Sequence, residues 1–66
     1  MTGKWAVVFN ASGIWVRVMK VTRTDQRYAY DRHDNICLLS SVFATFDDYP
    51  AAQKHAAAFN ERVRND

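Results

Sequence analysis

Apolar and polar residues alternate along the first third of the chain, and this pattern predicts two antiparallel strands. Residues 10–13 separate the strands and are expected to form a turn, since a glycine such as Gly13 can adopt a positive φ at no steric cost. The large apolar residues that share one face of this hairpin are Trp5, Val7, Phe9, Ile14, Val16 and Val18. We expect this face to be the buried one.

Further strand-like segments follow, so the pattern predicts an antiparallel sheet of three to four strands. The segment from Ile36 is either one bent strand or two short ones, because Ser40 and Ser41 interrupt its apolar run. The predicted strands cover residues 4–10, 14–24, 27–31 and 36–46.

Residues 48–64 are predicted to form a C-terminal helix, capped by Asp47 or Asp48 and tolerating Pro50 in its first turn. The residues spaced to face the sheet are Tyr49, Ala52, Ala56, Phe59 and Val63. Those expected to point outward are Gln53, Lys54, Asn60, Glu61 and Arg64. The fold class is therefore α+β, with one sheet on one helix in two layers and a single domain over 1–66.

One helix covers only one face of a sheet, so the opposite face is expected to carry the function. Its residues are Val8, Trp15, Arg17, Met19, Val21 and Arg23. This is an aromatic, basic and apolar surface, and exposed apolar patches mark interaction sites. The alternatives are that the segment from Tyr28 to Leu39 covers this face, or that a second copy does so in a homodimer.

Composition and charge say more about the cellular compartment of the protein than about its function. The chain has 66 residues and one cysteine, Cys37, which excludes an internal disulfide and favours a reducing compartment. It has no apolar run of signal-peptide or membrane-spanning length, so we expect a cytoplasmic protein without a membrane segment. The net charge is only +2, although the middle of the chain is basic.

The residue types give no catalytic set, so we predict no enzyme activity, no metal and no cofactor. His33 and His55 have no serine or cysteine at a spacing that indicates a triad. Cys37 lies in an apolar run typical of a core residue, and with the two histidines it makes no metal-binding motif.

Two segments resemble the N-terminal arm-binding domain of phage and transposon integrases. They are the strand Ile14-Trp15-Val16-Arg17-Val18 and the segment from Phe43 to Phe46 with the paired alanines that follow it. This resemblance implies a sheet whose open face enters the DNA major groove. The residues that would contact DNA are Trp15, Arg17, Lys20, Arg23 and Arg27.

In size and style the chain also resembles the small accessory proteins with which phages bind and inhibit host proteins. That resemblance implies a bacterial protein partner. Aromatic residues, methionine and arginine are typical of protein interfaces. The expected contact residues are Trp15, Arg17, Met19, Arg23, Tyr28 and Tyr30. We favour a non-enzymatic protein-binding module and keep DNA binding as the alternative.

Overall fold

The computed structural model describes residues 1–10 and 15–65. The predicted turn at 11–13 and the predicted strand start at Ile14 lie outside the described residues. The elements, in chain order, are β1 (Trp5–Phe9), β2 (Val16–Lys20), β3 (Arg23–Thr24), β4 (Tyr28–Tyr30), β5 (Ile36–Leu38), a 3₁₀ turn (Leu39–Ser41), β6 (Val42–Phe46) and α1 (Tyr49–Asn65).

The strands form two antiparallel sheets. The first has the strand order β2-β1-β6 and the second has the order β3-β4-β5. The α+β class, the antiparallel pairing and the C-terminal helix are confirmed. The described strands number six and not three to four, and they add a second sheet to the predicted two layers.

The predicted strand 14–24 is wrong in its extent, because the chain changes sheets at Val21 and Thr22. The Val21 N–H still bonds to the Lys4 carbonyl of the first sheet, at 3.0 Å. The next residue, Thr22, donates its N–H to the Tyr30 carbonyl of the second sheet, at 2.8 Å. Of the two alternatives for the segment 36–46, the structure has two short strands, β5 and β6, and these belong to different sheets.

The helix begins where its predicted cap lies. Asp48 accepts a hydrogen bond from the Ala51 N–H at 2.8 Å, which satisfies one of the free donors of the first turn. Asp47 pairs instead with Lys4 across the domain. Arg62 and Arg64 lie in the last turn, where their charge complements the helix dipole.

The helix packs on the predicted face of the first sheet. Small side chains at Ala52 and Ala56 are buried against Val7 and Val16, so the helix lies close to the strands. Partly buried apolar residues surround this contact, namely Trp5, Phe9, Val18, Phe46 and Phe59. The prediction for this face is confirmed at every described residue. Tyr49 is more exposed than predicted, although its ring contacts that of Trp5, with centroids 4.9 Å apart.

The second sheet covers much of the other face of the first sheet. A separate core cluster joins residues of β1 and β2 to residues of the second sheet, and its members are Ala6, Val8, Met19, Val21, Ala29 and Cys37. The predicted exposure of Val8, Met19 and Val21 is therefore wrong. The reason is that Ala29 and Cys37 point inward and are small enough to lie on these side chains. Coverage by the segment from Tyr28 to Leu39, the alternative considered above, is what the structure shows.

Asn60 points inward, which corrects its predicted outward position. Its side-chain oxygen accepts from the Val16 N–H and its amide nitrogen donates to the Val16 carbonyl, both at 2.8 Å. The amide thus satisfies both backbone groups of a residue on the edge strand β2, much as another strand would. It also ties the helix to the first sheet.

Asn60→Ala is expected to lower the free energy of unfolding by about 1–3 kcal/mol, because two partly buried backbone groups lose their partners. Urea unfolding followed by circular dichroism measures this change. Asn60→Asp is the control: it keeps the acceptor for the Val16 N–H but places a second oxygen against the Val16 carbonyl, and it should not restore stability. Wild-type stability in the alanine variant would show that the double hydrogen bond contributes little.

Candidate functional site

The outer face of the second sheet presents large apolar side chains to solvent. In β4 and β5, Ala29 and Cys37 point inward, so the residues on either side of each point outward. Tyr28 lies opposite Leu38, and Tyr30 lies opposite Ile36. We call this surface the tyrosine face, and its residues are Arg23, Tyr28, Tyr30, Ile36 and Leu38.

Two aliphatic side chains give the tyrosine face its apolar character. Ile36 is 51% exposed and Leu38 is 47% exposed, although both belong to a regular strand. The rings of Tyr28 and Tyr30 lie beside them, with centroids 6.5 Å apart. A strand that leaves such side chains in water has apolar surface available for a partner.

Arg23 is held flat against this face. Its guanidinium lies 3.7 Å from the centre of the Tyr30 ring, within the range of a cation–π contact. The same group donates to the Asp34 carboxylate at 3.2 Å. Asp34 has a positive φ of 59° in the turn between β4 and β5. Asp31 stabilises that turn, since its carboxylate accepts from the backbone N–H groups of His33 and Asn35.

Asp25 fixes the other side of Tyr30. One carboxylate oxygen accepts from the backbone N–H groups of Arg27 and Tyr28, and the other accepts from the Tyr30 hydroxyl at 2.7 Å. These bonds, chiefly that from Arg27, lower the pKa of Asp25 below its ordinary value. The same contact raises the pKa of Tyr30, because the hydroxyl donates to a carboxylate.

We expect Asp25→Ala to lower the pKa of Tyr30 toward that of a free tyrosine, as measured by the absorbance of tyrosinate in an alkaline titration. Tyr30→Phe identifies which part of the signal belongs to Tyr30. The pair stabilises the fold fully between the ordinary values of 3.8 for the carboxyl and 10.0 for the phenol. Its contribution is lost as the pH falls through the lowered pKa of Asp25 or rises through the raised pKa of Tyr30. An unchanged Tyr30 titration in Asp25→Ala would contradict the contact.

The structure brings together three of the six predicted partner-binding residues, Arg23, Tyr28 and Tyr30. Met19 is only 4% exposed, so it has no surface to offer a partner in this fold. Trp15 is exposed just before β2, and Arg17 is half-buried on the side of the first sheet that faces the second. Whether any of these residues contacts a partner stays a prediction.

Ile36 and Leu38 were not among the predicted site residues. The four apolar residues that begin at Ile36 suggest a strand buried on both faces, which hides the alternation. A signal was nevertheless present. In both short strands a small residue, Ala29 or Cys37, stands between two large ones, and this spacing indicates one buried and one exposed face.

The basic residues predicted to contact DNA do not form one surface. Arg17 and Lys20 line a groove beside β2, whereas Arg23 lies on the tyrosine face and is bound to Asp34, and Arg27 lies in the connection between β3 and β4. We call the groove beside β2 the basic groove. The lining residues that concern its chemistry are Trp5, Arg17, Val18, Lys20, Arg32 and His33.

The potential reactive groups lie apart from one another. Cys37 is buried between the sheets, and burial raises the pKa of its thiol. His33 accepts a hydrogen bond from the Arg32 side chain at 3.1 Å, and His55 contacts the rings of Phe43 and Phe46. Within residues 1–10 and 15–65, no three histidine, cysteine or acidic side chains are grouped as a metal site would require.

Comparison with protein families, with curated proteins and with solved structures found no match to this chain. The two resemblances described above therefore stay predictions. Across the described residues, no helix combines the length and apolar character needed to cross a membrane.

Proposed function

We propose that this chain is a non-enzymatic binding module whose tyrosine face contacts a protein partner. The observation that carries the proposal is the exposure of Ile36 and Leu38 beside two tyrosines on one small sheet. Burying these side chains in an interface would remove apolar surface from water, which is the main favourable term in most protein association.

The tyrosine face has the residue types and the rigidity that suit this role. Tyrosine and arginine are enriched among the residues that dominate binding energy at protein interfaces. Tyr30 is held by Asp25, and Arg23 is held by Tyr30 and Asp34. Because these side chains are already ordered, they would lose less conformational entropy when a partner binds.

The charges around this face favour a protein over a nucleic acid. Asp25 and Asp34 lie beside Arg23 and Tyr30, and both carboxylates would repel a phosphate backbone. Arg23 is already paired with one of them. Inhibition of a bacterial host protein by a phage-encoded protein, which the resemblance implied, is one form of this function and stays a prediction, as does the cytoplasmic location.

Affinity capture from a bacterial lysate tests the proposal with two matched variants. Ile36→Ser combined with Leu38→Ser should weaken capture of the partner by roughly thirtyfold or more, which corresponds to the loss of about 2 kcal/mol, the contribution of one hot-spot side chain. The melting temperature should change little, because both residues are exposed. Trp15→Ala removes another exposed apolar side chain, one outside the tyrosine face, and should leave capture intact.

Two results would contradict the proposal. One is capture by the double serine variant at the wild-type level. The other is loss of capture in Trp15→Ala alone, which would move the contact to the start of β2. Light scattering after size exclusion identifies a homodimer: if the serine variant converts a wild-type dimer into a monomer, the partner is a second copy.

A further inference from the structure

The strand β2 lies at an edge of the first sheet and presents backbone groups to the basic groove. Along an antiparallel edge strand, the backbone groups of every second residue bond to the neighbouring strand, and those of the residues between them point away from the sheet. The Asn10 N–H bonds to the Trp15 carbonyl, and the Val21 N–H bonds to the Lys4 carbonyl, so the odd-numbered residues of this segment bond to β1. The N–H and C=O groups of Val16, Val18 and Lys20 therefore point away from the sheet.

Asn60 already occupies the first position in this row, where its amide bonds to both backbone groups of Val16. The next outward positions, Val18 and Lys20, pair with no other strand in the part of the chain that the structure describes. Both residues line the basic groove. This edge can therefore accept the backbone of another strand beyond the point where the helix covers it.

The charge of the groove specifies what kind of strand would fit. Arg17 lies opposite Val8 and faces the second sheet, whereas Lys20 lies opposite Trp5, with its ammonium 5.0 Å from the Trp5 ring. Arg32 lies in the loop between β4 and β5. Among the described residues, none of these three cations forms an ion pair with a carboxylate.

The groove lining includes one acidic residue, Asp31, as far as the described residues show. Its oxygens are already used by the backbone N–H groups of His33 and Asn35 and by the Asn35 amide. Among the described residues it forms no ion pair with the cations of the groove, and its single negative charge is outnumbered by the positive charges of Arg17, Lys20 and Arg32.

We propose that an extended acidic segment of a partner protein adds to β2 as a fourth strand of the first sheet. Its backbone would pair with the outward groups of Val18 and Lys20. Neighbouring side chains of a strand point to opposite faces, so two consecutive acidic residues would meet Lys20 on one face and Arg17 with Arg32 on the other. This surface is separate from the tyrosine face.

A peptide fits this edge better than a nucleic acid does. The edge offers donors and acceptors in alternation, and a polypeptide backbone supplies the matching acceptors and donors. The sugar–phosphate backbone of DNA supplies acceptors only, so it would leave the outward carbonyls of Val18 and Lys20 facing phosphate oxygens.

Fluorescence anisotropy with the full chain and a labelled peptide Thr-Val-Glu-Glu-Val-Thr, blocked at both ends, tests the charge requirement. Arg17→Gln combined with Lys20→Gln should weaken binding roughly tenfold or more, because charge-assisted contacts are lost. Arg27→Gln, which removes an exposed arginine outside the groove, should not weaken binding. The double serine variant of Ile36 and Leu38 should bind the peptide normally, which separates this inference from the proposed function.

N-methylated peptides test the strand pairing without altering the protein. Methylation at one set of alternate residues should abolish binding, and methylation at the other set should spare it, because only one edge of the peptide faces β2. Equal binding of both methylated peptides would overturn the proposal. A single-stranded oligonucleotide that binds more tightly and displaces the peptide would also overturn it. The same holds if the chain forms a dimer that does not bind the peptide at all.

Discussion

Met19→Glu is expected to unfold most of the protein at neutral pH. Met19 lies in the core cluster between the two sheets with Val8, Ala29 and Cys37. An unpaired charge in such a place costs about 3–5 kcal/mol. A chain of 66 residues has roughly 3–10 kcal/mol of stability in total, so this cost is comparable with the whole.

Met19→Leu is the matched control, because it keeps the volume and the apolar character and should cost less than about 1.5 kcal/mol. Circular dichroism during thermal unfolding compares the variants. A folded Met19→Glu variant with a melting temperature near that of the wild type would place Met19 in solvent. The second sheet would then not cover this face of the first.

Ala56→Leu is expected to lower the free energy of unfolding by about 1–3 kcal/mol and the melting temperature by roughly 5–20 °C. Ala56 is 4% exposed, and it packs with Val7 and Val16 where the helix meets the first sheet. A larger side chain would push the helix away from the strands. Leucine and alanine have similar helix propensities, so the loss would come from packing.

Ala57→Leu provides the control for this substitution, because Ala57 follows directly in the same helix and is exposed. It should change the melting temperature little. Similar losses in both variants would indicate that the helix itself is weakened, and would contradict close packing at Ala56.

The parts of the fold that depend on local periodicity could be predicted from the sequence. The alternation around Val7 and the helical spacing of Ala52 and Ala56 correctly identified the faces that meet. The cap at Asp48 followed from the chemistry of helix ends. Each of these features is determined by residues that are close together in the chain.

The change of sheet at Val21 and Thr22 could not be predicted, because both residues fit a continuous strand. Strand periodicity says which side chains share a face, but not which sheet a strand joins. The exposure of Met19 was therefore misjudged, since its burial depends on distant Ala29 and Cys37. The inward position of Asn60 has a similar origin, because its partner Val16 is 44 residues away along the chain.

The second sheet links the fold to the proposed function. Its inner side chains complete the core at Ala29 and Cys37, and its outer side chains form the tyrosine face. Three predicted contact residues, Arg23, Tyr28 and Tyr30, lie on this outer face. The aromatic and basic character expected of the binding surface is thus found on a different sheet from the one predicted.

Hydroxyl-radical footprinting of the free protein and of the captured complex is the most direct test of this account. In the free protein, Met1 at 46% exposure should be labelled quickly, whereas Met19 at 4% should be protected. In the complex, labelling of Ile36 and Leu38 should fall while that of Trp15 is unchanged. Rapid labelling of Met19 in the free protein, or unchanged labelling of Ile36 and Leu38 in the complex, would contradict it.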